Sequence, residues 1–154
     1  MYSCGLRTSE SVSLPVDRID SEQMCLRIRG KGDKERMVPL PAALLEPMRE
    51  VWLTHHHPTW LFPARGSANH LPAATLCQAF RKACDAIGLS RDVKPYQLRH
   101  GFATRLLENG ESLRVVQILL GHASLRSTQI YTHLTEPLCR KVRERIDALF
   151  TDLA

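Results

Sequence analysis

Breaking a phosphodiester without a metal takes a nucleophile, donors for the two non-bridging oxygens as charge builds on them, and an acid for the departing oxygen. This 154-residue sequence holds a group for each place: the Tyr131 hydroxyl as nucleophile, Arg7, Arg99 and His122 as donors, and the Lys31 ammonium as acid. Composition and periodicity do not single out these five, because the chain has 16 arginines, 7 histidines and 3 tyrosines. Arginine outnumbers lysine 16 to 5, and the guanidinium fork matches phosphate oxygens two at a time. The formal charge of 21 − 16 = +5 is equally well met by a solvated surface, so charge alone does not name a partner. His55, His56 and His57 adjoin, but three consecutive side chains cannot converge on one metal from a regular element. No Cys, Asp or Glu lies at ligand spacing from them. No metal site is expected, and a metal-dependent hydrolase finds little support; the run reads as an exposed cluster at a helix end.

The elements that must hold these groups come from pattern. A short helix over about residues 5–13, stopped by Pro15, puts Arg7 and Glu10 on one face at i, i+3. From Arg18 to Leu40 the pattern changes to strands: Ile19, then Met24–Arg29, then Arg36–Leu40. Met24, Leu26 and Ile28 alternate with Cys25, Arg27 and Arg29 to give a buried face and a basic face. Gly30-Lys31-Gly32-Asp33 makes the hairpin turn that presents Lys31 and Lys34. Residues 41–53 predict a helix with Leu45, Met48 and Trp52 inward, kinked or split by Pro47.

Beyond a Gly/Ser/Asn-rich loop, Pro72–Ile87 predicts a helix whose stripe is Leu76, Phe80, Ala83 and Ile87. A second helix runs from Tyr96 to about Asn109 on Leu98, Phe102, Leu106 and Leu107, and a third from an N-capping Ser112 to Gly121. The last helix opens at Thr135-Glu136-Pro137 with Leu138, Val142, Ile146, Leu149 and Leu153 apolar. That stripe must be buried in its own domain or on another protomer, and the sequence does not choose.

Length and composition bound the reading. The chain is one domain by size, and 44% hydrophobic residues with no low-complexity tract exclude collagen-like and disordered classes. No apolar run exceeds four residues and no signal peptide opens the chain, so a cytosolic protein is expected. Five scattered cysteines, an odd count without a C-x-x-C pair, predict reduced and mostly buried thiols.

Four stretches resemble the tyrosine recombinase (phage integrase) family, nearest its Xer-like and integron-like branch. They are Cys4-Gly5-Leu6-Arg7-Thr8-Ser9-Glu10, Arg29-Gly30-Lys31-Gly32-Asp33-Lys34-Glu35-Arg36, Tyr96-Gln97-Leu98-Arg99-His100-Gly101-Phe102-Ala103-Thr104, and Leu119-Leu120-Gly121-His122 through Gln129-Ile130-Tyr131-Thr132-His133. Taken singly, a tyrosine in an amphipathic segment is packing, a glycine-flanked histidine is a cap and a helix arginine is solvated. Four motifs in the family's order, ending in a tyrosine nine residues after the histidine, are not explained that way.

The resemblance implies an α+β fold, mostly helical, with a small antiparallel β-sheet near the N-terminus, and a catalytic domain over residues 1–154. The family's separate N-terminal DNA-binding domain is expected to be absent and the first helix shortened. It implies that Arg7 is the first arginine, Lys31 the hairpin lysine, Arg99 the second arginine, His122 the later histidine and Tyr131 the nucleophile, with Glu10 and His100 in support. Tyr131 would attack a DNA phosphate to form a 3′-phosphotyrosyl link and free a 5′-hydroxyl, and religation to another 5′ end exchanges strands. No cofactor, metal or small-molecule substrate is implied. The implied partners are double-stranded DNA and further copies of the chain joined through the C-terminal helix, in the cytoplasm of a bacterium, associated with its nucleoid.

One position departs from the family pattern: Tyr96 stands where His-x-x-Arg has its histidine. A phenol can donate to a phosphate oxygen, but its pKa near 10 makes it a poor acid–base group at neutral pH. The alternative reading is therefore a non-catalytic DNA-binding or inhibitory fragment of a recombinase.

Overall fold

The computed structural model describes residues 1–30, 35–90, 92–121 and 136–151; in the last of these segments it describes the side chains of residues 140 and 142–148. The helix α1 (Thr8–Val12) comes first. It is shorter than the expected 5–13 because Gly5 takes a φ of +58°, outside the right-handed helical region. A Cβ at Gly5 would lie 2.6 Å from the Phe102 ring, so this turn needs glycine for space as well as for φ.

A 3-10 turn at Val16–Arg18 leads to β1 (Ile19–Asp20), β2 (Cys25–Arg29) and β3 (Glu35–Pro39), an antiparallel sheet in that order. Ile28 pairs with Arg36 and Leu26 with Val38. Met24 has a φ of +50°, outside the extended region, and β2 therefore begins one residue later than the pattern predicts, although the Met24 carbonyl still accepts the Leu40 N–H at 2.9 Å. Arg27 and Arg29 face outward as expected, whereas Cys25 on the same side is buried.

The helix α2 (Ala42–Leu53) runs on through Pro47 and is not split there. Ala43, whose carbonyl loses its usual donor, and Pro47 are both exposed, so water can satisfy the lost bond. The histidine run that comes next is less exposed than expected: His55 and His57 are half-buried, and the rings stitch the backbone. His55 Nδ1 accepts the His57 N–H at 3.0 Å, and His57 Nδ1 accepts the N–H groups of Thr59 and Trp60 at 3.1 and 3.0 Å. Among the described residues, no group of three or more His, Cys, Asp or Glu is placed to hold a metal.

Three further helices bring the chain to Gly121: α3 (Ala73–Ala86), α4 (Pro95–Glu108) and α5 (Leu113–Leu120). The expected stripe of α3 is not a buried face. Among the described residues Cys84 is its buried residue, Ala83 is exposed and Ile87 is 72% exposed, and the element packed most closely beside it is the five-residue α1. On α4, Phe102 and Leu106 are buried but Leu107 is exposed, one position past the face that meets α5 and α6. Ser112 caps α5 as expected, accepting the Val115 N–H at 3.2 Å, and Gly121 closes it in the left-handed region.

The choice left open for the final helix, α6 (Glu136–Thr151), is made within the chain for its central residues. Val142 and Ile146 are buried with Phe102, Leu106, Val116, Leu119 and Leu120. Asp147 accepts the Ala42 N–H at the start of α2, and Arg145 pairs with Glu111 at 2.7 Å. A second cluster, built on Leu26, Ile28, Val38, Leu40, Met48 and Leu61, backs the sheet. Cys4, Cys25 and Cys84 are buried and Cys77 is exposed, and none of these four is in a disulfide. Among the described residues no helix is long and apolar enough to cross a membrane.

Candidate active site

The two clusters meet where α1, β3, α4 and the end of α5 converge. The last carbonyls of a helix have no intrahelical donors and carry the negative end of its dipole. At α5 three consecutive carbonyls each take an arginine from a different element. Arg36 Nε donates to Leu119 O at 2.8 Å, Arg99 Nη2 to Leu120 O at 2.5 Å, and Arg7 Nη2 to Gly121 O at 3.1 Å. Arg99 Nη1 also donates to Gly5 O at 2.6 Å, tying α4 to a turn 94 residues earlier.

One carboxylate stands among the three cations. Glu10 accepts the Arg7 backbone N–H at 2.8 Å and Arg7 Nη1 at 2.7 Å, and takes both terminal nitrogens of Arg36 at 2.9 and 2.7 Å. Arg99 Nη1 lies 3.8 Å from it. Burial by itself would raise the Glu10 pKa; hydrogen bonds from Arg36 and then Arg7 outweigh it and hold the carboxyl at about 2. Arg99 is pushed the other way, down to about 10, by burial first and then by the neighbouring Arg7 and Arg36 charges, and so remains a cation at neutral pH.

Three guanidinium groups and one carboxylate leave a net local charge of +2. The Arg7 side chain is 39% exposed, against 9% for Arg36 and 4% for Arg99, so solvent reaches this charge from the Arg7 side. A phosphate is the ligand such a surface suits: the guanidinium planes are oriented before it arrives, and the anion completes the charge balance.

Of the residues expected at the site, the fold thus brings together Arg7, Glu10 and Arg99. Tyr96 lies one turn before Arg99 and is 66% exposed, and His100 is exposed on the same helix. Lys31, His122 and Tyr131 lie outside the described residues; in sequence Lys31 falls between β2 and β3, and His122 directly follows Gly121. The residue missed from sequence is Arg36. Its signal was faint, an arginine at the start of a strand in a basic hairpin, and only the pairing with buried Ile28 and the position of α5 show that its side chain is 9% exposed.

Comparison with known proteins bears on this arrangement. A model of the phage integrase family matches residues 1–137. The chain belongs to the phage integrase family. It is 41% identical over 141 residues to the tyrosine recombinase XerD of Rhizobium meliloti, covering 88% of this chain and 45% of that protein. It is 42% identical over 140 residues to the putative integrase/recombinase y4qK of Sinorhizobium fredii, covering 90% and 46%. The chain therefore spans about half the length of the curated relatives it matches.

Two solved structures share the fold of this family member. The integrase from mycobacterium phage Brujita superposes with a TM-score of 0.74 at 28% identity, covering 96% of this chain and 48% of that one. XerH site-specific recombinase bound to its difH substrate, in a pre-cleavage complex, gives a TM-score of 0.71 at 31% identity, covering 92% and 43%. The α+β fold, mostly helical with a small antiparallel sheet near its start, is thus that of the tyrosine recombinases.

Proposed function

We propose that this phage integrase family member is the catalytic domain, over residues 1–154, of a site-specific DNA recombinase. The observation that carries the reading is the convergence of Arg7 and Arg99 on successive carbonyls at the end of α5, immediately before His122. In this reading the two arginines and His122 hold the non-bridging oxygens of one DNA phosphate and stabilise the charge that develops on them. The Tyr131 oxygen attacks phosphorus, a 3′-phosphotyrosyl bond forms, and the bond to the 5′ oxygen breaks as Lys31 delivers a proton to it. The bond energy stays in the covalent link, and attack by a different 5′-hydroxyl rejoins the strands.

Copies assemble on double-stranded DNA, beside the bacterial nucleoid, with α6 as the joining element. Because Val142 and Ile146 are already buried in the domain, the joining surface is the rest of that helix and the residues C-terminal to it. Support for the DNA substrate comes from the local charge of the site and from the likeness to XerH, a site-specific recombinase solved bound to its difH substrate.

The test uses nicked suicide duplexes carrying sites of the matched relatives. The reading expects a covalent protein–DNA adduct that survives detergent and is lost in Tyr131→Phe. A folded chain that binds these duplexes and leaves no adduct would overturn it in favour of a DNA-binding module. Tyr96→His probes the one departure from the family pattern and is expected to raise the rate of adduct formation.

A further inference from the structure

Arg36 has no part in the chemistry described above, yet it is the most connected of the three arginines. Its Nε holds Leu119 O, 83 residues away, and its two terminal nitrogens hold both oxygens of Glu10. The same Glu10 fixes Arg7 twice, through the backbone N–H and through Nη1. Gly121 makes room for this: a Cβ there would stand 3.0 Å from Arg36 Cδ and 3.1 Å from Nη1. Arg36 lies at the start of β3, paired with Ile28, so it sits at the base of the hairpin whose turn carries Lys31 in sequence.

The planar fork is what lets one side chain span a carboxylate and a helix-end carbonyl at once; a lysine ammonium is a point donor on a flexible stem and cannot hold the three acceptors together.

We propose that Arg36 is a positioning residue, a three-way clamp that sets the lysine-bearing hairpin, the Arg7–Glu10 pair and the α5 end leading into His122 in one register around the phosphate. This rests on the strand-exchange reading above and adds to it a residue that touches no substrate. Without Arg36, Glu10 keeps hydrogen bonds from the more exposed Arg7 and the Arg99 charge at 3.8 Å, and its burial is less well offset, so its carboxyl should take up a proton at higher pH. Arg7 and the end of α5 then lose their common anchor. A misplacement of about 1 Å at such a site costs on the order of a hundredfold in rate.

The experiment compares the wild-type chain with Arg36→Lys and Arg36→Gln, the lysine variant keeping the charge in case the glutamine variant does not fold. Two readouts are taken: NMR titration of the Glu10 carboxyl with the Arg7 guanidinium and His122 ring signals, and single-turnover cleavage of the nicked duplex with DNA affinity measured alongside. The expected result is a raised Glu10 pKa and shifted Arg7 and His122 signals in both variants. Cleavage should fall about a hundredfold with DNA affinity within about threefold of wild type, and should gain an acid limb that the wild type lacks.

Unmoved Arg7 and His122 signals in a folded variant overturn the proposal, as does a cleavage loss explained wholly by weaker binding. A wild-type chain that forms no adduct overturns the strand-exchange reading alone, and the NMR comparison still decides the clamp.

Discussion

The helices α3 and α4 are each 14 residues long, and they differ in burial although a core stripe is expected on both. The apolar positions of α3 recur regularly at helical spacing, yet among its residues it buries Cys84 alone. The pattern of α4 is interrupted by Gln97, Arg99 and Gly101, yet it buries Pro95, Arg99, Phe102 and Leu106. A stripe states which face a helix can bury, whereas burial itself needs an opposing surface. α4 has α5 and α6 against it and the carbonyls of Gly5 and Leu120 within reach of its arginine. Among the described residues, the element packed most closely beside α3 is the five-residue α1.

The contrast between the two helices can be broken first at Arg99. Arg99→Met keeps the aliphatic stem and removes both donors, leaving two buried carbonyls unpaired and Glu10 with less positive charge nearby. The expected loss is about 3–5 kcal/mol by urea denaturation, and a loss below about 1 kcal/mol would mean that the buried guanidinium is not holding α4 in place.

Next is Leu106→Ala, which opens a cavity at a fully buried site and should cost about 2–5 kcal/mol in the same assay.

The third test is acid. Glu10 is held at about 2, below its ordinary 4.5, so its contribution is fully present above the ordinary value and is lost as pH falls through about 4.5 toward 2. Thermal melts should show stability on the order of 3 kcal/mol disappearing across that window, and Glu10→Gln should flatten that part of the profile.

The smallest effect belongs to α3: Ile87→Ser at its exposed end should change stability by no more than about 0.5 kcal/mol. A large loss there would show that this end of α3 is covered in solution.

Local chemistry by itself determined much of the fold. The hairpin, the Ser112 cap, the Gly121 stop and the outward arginines of β2 come from φ preferences, capping and alternation, which act over a few residues. The same interactions placed Arg7 at the cap and Glu10 in the first turn of one short helix, and the family motifs named Arg99 beside them.

Tertiary structure alone decided the rest. That α3 buries little among the described residues, that α6 folds back onto its own domain, and that Arg36 turns from a hairpin arginine into the clamp at the end of α5 all depend on partners distant in the chain. The cause is physical: a guanidinium can donate to water or to a carbonyl, burial costs it hydration that only well-placed acceptors offset, and which it meets is set by where the helices come to rest.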